Sequence, residues 1–197
     1  MPKQLDFWFD LGSPAAYLAW KRLPKFIARS GASVVYKPML LGGVFKAQGN
    51  VSPVTIPAKG KWLFGDLARY ARRDGVPLGY PPEFPINTLA LMRAAIGLLM
   101  RKPERFVPYV DAMFDAIFGQ ARDLRDQKIV AEVLASAGFD PAEIMALAAD
   151  PEVKQALIRN TEEAVSRGVF GAPTFFVGDE MFWGQDRMDF VAEALAA

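Results

Sequence analysis

The 197-residue chain contains no cysteine and no histidine. Without a thiol it forms no disulfide, runs no thiol–disulfide exchange and offers no thiolate nucleophile or metal ligand. Without an imidazole, Ser–His triads and histidine metal centres are excluded as well. Chemistry here must use hydroxyls, carboxylates, amines, backbone dipoles or a group brought in from outside. An excess of one charge is also missing. The 23 Lys and Arg stand against 22 Asp and Glu, which leaves no basic surplus to neutralise nucleic-acid phosphates. No nucleic-acid partner is expected. No run reaches the ~20 apolar residues that cross a bilayer; the best, "LALMRAAIGLLM", is interrupted by Arg93. The opening "MPKQLDFWFDLGSP" has no apolar stretch behind a basic one, so it does not read as a secretory signal. The expectation is a cytoplasmic protein with no membrane partner.

What is present suits one sizeable domain: 52% of residues are apolar. "LDFWFD" (5–10) reads as a buried strand. Gly12-Ser13-Pro14 then reads as a helix entry, with Ser13 at the N-cap and Pro14 at the first helical position. Tyr17, Trp20, Leu23 and Ile27 keep helical spacing up to a stop at Gly31, with Pro24 expected to bend the helix. "SVVYKPM" (33–39) is a second strand, parallel to the first because a helix-length crossover joins them. From 45 to 57, "FKAQGNVSPVTIP" reads as a loop.

The middle of the chain reads mostly as helix: "KWLFGDLARYARRDG", "PINTLALMRAAIGLLMRK", "ERFVPYVDAMFDAIFGQ" and "DQKIVAEVLASAG", then two starts of one kind at "DPAE" and "DPEV". Lys21, Arg22 and Lys25, like Arg69, Arg72 and Arg73, read as solvated helix faces. "TFFV" (174–177), a turn at Gly178-Asp179 and "MFW" (181–183) make a hairpin, followed by a closing helix from about Asp186. The order β-α-β, helices, β-β-α suggests an α/β fold with one sheet and an inserted all-helical subdomain. The expected division is residues 1–50 with 165–197, and 51–164 as the insertion.

That order is similar to the thioredoxin topology of the disulfide oxidoreductases, in which a Cys-x-x-Cys motif opens the first helix opposite a cis-proline. Here the two positions read Ser13-Pro14-Ala15-Ala16 and Ala172-Pro173-Thr174. More narrowly, "FDLGSPAAYLA", "GNVSP", "PAKGK", "FPINTLALMR" and "VFGAPTFFVGDEMFWGQDRM" together resemble the 2-hydroxychromene-2-carboxylate isomerases and the related kappa-class glutathione transferases. The resemblance spans nearly the whole chain. It implies a glutathione-dependent enzyme, commonly a homodimer, acting on a small aromatic carboxylate in bacterial degradation of naphthalene-type compounds. The reaction implied converts 2-hydroxychromene-2-carboxylate to trans-o-hydroxybenzylidenepyruvate.

In that reading the missing thiol is glutathione's. Ser13 is either a plain N-cap or a donor to the thiolate, aided by the unpaired N–H groups of the helix start. Ala172, before a cis Pro173, would pair with the cysteinyl backbone. Gln185 and Asp186 would hold the γ-glutamyl end, Asp186 being otherwise a helix cap. Asn50 and Lys59 match glutathione-binding positions, with Lys59 otherwise a solvated loop lysine. Trp8, Phe9, Phe182 and Trp183 would line a ring pocket or belong to the core. No metal-ligand spacing is present. Two other functions stay open: a kappa-like transferase or peroxidase that consumes glutathione, and a non-catalytic thioredoxin-like scaffold.

Overall fold

The computed structural model describes residues 3–197. Among them the strands form one four-stranded sheet in the order β2-β1-β3-β4. β1 (Gln4–Phe9) runs parallel to β2 (Ser33–Pro38), with Phe7 opposite Tyr36. β3 (Thr174–Val177) lies antiparallel to β1 on its other side and carries the hairpin partner β4 (Glu180–Trp183). β1 is therefore central, and both its faces are covered. Phe7 stacks on Phe9 and on Phe175 across the strand pair, with centroids 5.2 and 5.1 Å apart. Trp8 points to the opposite face, among Met39, Val44, Val169 and Phe176. Burial on two sides explains why β1 is an apolar run and not an alternation.

The crossover between the parallel strands is α1 (Pro14–Ser30), capped by Ser13 and closed by Gly31 at φ 65°. The expected loop at 45–57 proved partly helical. α2 (Leu41–Ala47) opens before it, and a 3₁₀ turn covers Pro53–Thr55. α2 escapes sequence reading because no side chain caps it and two glycines stand in its first turn. Gly43 is there for contact: a Cβ on it would sit 3.0 Å from Thr161 Cγ2.

α3 (Pro57–Asp74) begins with its proline at the first turn. α4 (Leu89–Arg101) and α5 (Pro103–Phe114) pack together as their apolar sequences suggest, and α5 ends in a π-turn at Asp115–Gly119. Then come α6 (Gln127–Ser136), α7 (Pro141–Ala149) and α8 (Pro151–Ser166), started by Asp126, Asp140 and Asp150. Each of these aspartates accepts a first-turn N–H, which satisfies a donor the helix itself leaves over. α8 packs on α2 and β2 as well as on α4, and α9 (Met188–Ala196) lies against α1 and β3.

The helical layer and the sheet share one core. Phe106 and Phe114 of α5 meet Phe9 of β1 at 6.3 and 6.0 Å, and Phe106 meets Tyr36 of β2 at 5.1 Å.

Replacing Asp150 by Ala removes bonds to the Glu152 and Val153 N–H groups and should cost about 1 kcal/mol in urea unfolding. Asp179, exposed on the hairpin turn, should tolerate Ala within about 0.5 kcal/mol.

Candidate functional site

The chain leaves β1 and turns at once into α1. The Ser13 N–H donates to the Asp10 carbonyl at 3.0 Å, which closes the turn. Extended backbone at Ser13 (φ −100°, ψ 112°) aims Oγ at the first helical turn, where it accepts from the Ala16 N–H at 3.1 Å. The N-cap reading is correct as far as it goes. The hydroxyl proton goes elsewhere: Oγ donates to the Ala172 carbonyl at 2.8 Å, across 159 positions of sequence. One hydrogen bond thus joins the two remote motifs.

The Ala172-Pro173 peptide bond is cis and Pro173 is buried. The Ala172 N–H meets no protein acceptor among the described residues. Pro14 has no N–H and Ala16's is taken by the cap, so Ala15 supplies the free donor at the start of α1. A group beside Ser13 Oγ would face a hydroxyl, a backbone N–H and the positive end of a 17-residue helix, an environment that favours an anion.

Gln185 is only 4% exposed, and its Oε1 is buried without a hydrogen-bond partner. An amide oxygen left so is costly unless a donor comes from outside the chain. Its backbone carbonyl accepts from Arg22 Nη1 at 2.8 Å, and Arg22 Nε lies 3.6 Å from Asp74. Arg22 and Lys21 therefore depart from the solvated-face expectation. Lys21 is held between Asp111 and Asp115 at 2.7 and 2.8 Å. No local pattern reveals Arg22, since its partner Gln185 is 163 positions away.

Asp186 is exposed and pairs with Arg187 at 3.2 Å. It does not cap α9, whose N-cap position is Arg187 with no side-chain bond, so the plain-cap alternative fails. Asn50 is exposed after α2; its Oδ1 accepts from the Val51 N–H at 2.8 Å, leaving the amide donors outward. Lys59 lies on the first turn of α3 and not in a loop, exposed and without an ion-pair partner among the described residues. Gln48 ties the end of α2 to the approach to Ala172 by donating to the Val169 carbonyl at 3.1 Å. Direct bonding thus unites Ser13 with Ala172, and Arg22 fastens Gln185 to α1. No hydrogen bond joins Asn50 or Lys59 to either motif.

Of the aromatics, Trp8 and Phe9 are fully buried core. Trp183 is half exposed and lies on Phe170, centroids 4.9 Å apart, beside the cis-proline loop. Gly171 passes beneath its indole, where a Cβ would collide with Trp183 Nε1.

Asp10, which in sequence reads as part of a strand, is 1% exposed. Its Oδ1 accepts from the Gly12 N–H at 2.8 Å and from Thr88 Oγ1 at 2.6 Å, and its Oδ2 from the Leu41 N–H at 2.7 Å. Burial pushes its carboxyl above the ordinary 3.8, against the pull of those three donors.

Residues 4–196 match the DSBA-like thioredoxin domain family. The chain is 32% identical to a 2-hydroxychromene-2-carboxylate isomerase of Sphingobium xenophagum over 99% of both proteins. It is 29% identical to glutathione S-transferase kappa 1 of Caenorhabditis elegans, covering 99% of this chain and 92% of the relative. A solved 2-hydroxychromene-2-carboxylate isomerase superposes with a TM-score of 0.85 at 32% identity, covering 98% of this chain and 94% of the other.

With its carboxyl value raised by burial, the folded state binds the Asp10 proton more tightly than the unfolded state does. Asp10 therefore stabilises most below 3.8 and loses that contribution as pH rises through its folded value. Urea unfolding across this range should show the stability of the unmodified protein falling relative to Asp10→Asn as pH increases.

Proposed function

We propose that this chain, which belongs to the DSBA-like thioredoxin domain family and within it to the 2-hydroxychromene-2-carboxylate isomerases, is a glutathione-dependent isomerase of that kind. The substrate would be a small aromatic carboxylate, taken from 2-hydroxychromene-2-carboxylate to trans-o-hydroxybenzylidenepyruvate in the breakdown of naphthalene-type compounds. The observation that carries the reading is the Ser13–Ala172 contact at 2.8 Å in a chain with no thiol of its own.

The residues fit glutathione. The free Ala172 N–H suits a peptide carbonyl, and the orphaned Gln185 Oε1 suits a donor on the γ-glutamyl end. Asp186 would oppose that end's ammonium, and the outward amide of Asn50 would meet peptide carbonyls. Lys59 is free to attract a carboxylate, either the glycyl one or the substrate's. Bound there, glutathione would supply a sulfur nucleophile for reversible addition across the conjugated double bond of the ring-opened substrate, chemistry that allows rotation and returns the thiol unchanged.

The protein's part is to keep a thiol ionised whose ordinary pKa is about 8.5. Ser13 would turn its O–H from the Ala172 carbonyl toward the anion while Oγ continues to cap Ala16. The Ala15 N–H and the α1 dipole act in the same direction. The Phe170–Trp183 pair offers aromatic surface beside the loop.

In the proposed division of labour, residues 1–50 with 165–197 hold the sulfur and the helical 51–164 segment walls the cleft. A cytoplasmic homodimer belongs to the same reading. Val51, Ile56 and Trp62 are apolar and exposed in the protomer, and no helix among the described residues is long and apolar enough to cross a membrane.

With glutathione substoichiometric, turnover should continue past one equivalent of product until equilibrium is reached. A kappa-type transferase would instead stop at one equivalent of product, and a scaffold would take up no glutathione at millimolar concentration. Ser13→Ala should lower kcat about ten- to a hundredfold, the worth of a hydrogen bond to a charged group. Steady-state kinetics with and without added glutathione reads both.

A further inference from the structure

We propose that Asp10 is a positioning residue for the sulfur site: its buried carboxyl group gathers the starts of three helices at one point and so fixes Ser13 against the Ala172 loop. The inference rests on the proposed function, in which Ser13 meets the sulfur of glutathione.

Each donor to Asp10 belongs to a different helix start. The Gly12 N–H lies one residue before the cap of α1. Leu41 is the first residue of α2, and Thr88 is the residue before α4. Both carboxyl oxygens are engaged, which fixes the plane of the group as well as its place. Gly12 is held closely in the same clamp, since a Cβ there would lie 3.3 Å from Thr88 Cγ2 and 3.4 Å from Asp10 Oδ1.

All three donors are neutral, and no Lys or Arg pairs with Asp10 among the described residues. A carboxyl group this deep without a counter-ion is costly to bury. What it supplies is geometry. Ser13 Oγ has to reach the Ala16 N–H at 3.1 Å and the Ala172 carbonyl at 2.8 Å together. Its own N–H is bonded to the Asp10 backbone. A shift of the turn would therefore move the hydroxyl away from both the loop and the sulfur.

Thr88→Val removes one donor without altering any residue that would touch glutathione; Thr88→Ser keeps the hydroxyl. Glutathione is added to each protein, and its thiolate is followed by ultraviolet absorbance against pH, with melting temperature, kcat and KM measured in parallel. In Thr88→Val the bound thiol should ionise at higher pH and kcat should fall roughly tenfold, as expected for a misplaced catalytic contact, while KM for glutathione changes little. Thr88→Ser should restore both. Gly12→Ala presses on the clamp without deleting a hydrogen bond and should shift the thiolate titration the same way, which keeps the test decisive if Thr88→Val does not fold. A lowered melting temperature with an unchanged thiolate titration would mean a purely structural role and overturn the proposal. If the unmodified protein shows no thiolate signal with glutathione, the proposed function falls, and this inference with it.

Discussion

A single hydroxyl proton stands at the centre of this molecule. Ser13 Oγ caps α1 as an acceptor and, as a donor, reaches the Ala172 carbonyl at 2.8 Å. The two roles use different parts of the hydroxyl: lone pairs for the cap, the proton for the carbonyl. Rotation about the Cβ–Oγ bond can redirect the proton without uncapping the helix. Stability and proposed chemistry therefore share one atom without competing for it. The contact needs the β1–α1 turn and the cis-proline loop in register, which β1 and β3 provide by pairing directly in the middle of the sheet.

Two cations of α1 and the buried Asp10 are each engaged by partners. Lys21 is neutralised by Asp111 and Asp115, and Arg22 is held by Asp74 and the Gln185 carbonyl. Asp10 lies under the turn with backbone and hydroxyl donors in place of a cation. The positive influence on Ser13 then comes from α1 itself, through N–H groups that are fixed in space. Such dipoles cost no reorganisation when charge develops beside them. This suits a protein that, in the proposed reaction, must stabilise an anion it does not own.

Much of the fold is legible in the sequence because its signals are local. Ser13-Pro14, Asp140-Pro141 and Asp150-Pro151 each encode the start of a helix through the N–H groups left over there. The parallel pair is implied by the length of α1. α2 is not legible: no side chain caps it and Gly42-Gly43 stand in its first turn, and only the approach of Thr161 on α8 gives Gly43 its reason. Lys59 reads as a loop residue because Pro57 resembles the end of a loop, whereas Pro57 is the first residue of α3. At the site, residues within recognisable motifs stand out and those acting through distant partners do not. Arg22 looks like any surface arginine and Asp10 like the end of a strand. Their importance comes from Gln185, Thr88 and Leu41, which only folding brings near.

The packing of Gly171 under Trp183 also bears on how this protein can diverge. Any larger residue at 171 meets the indole before it meets anything else, so the two positions vary together. A larger residue there requires the half-exposed indole to swing aside or to be replaced by something smaller. The glycine is thus tied to a neighbour twelve positions downstream, and a change at either place reshapes the Phe170–Trp183 surface beside the cis-proline loop.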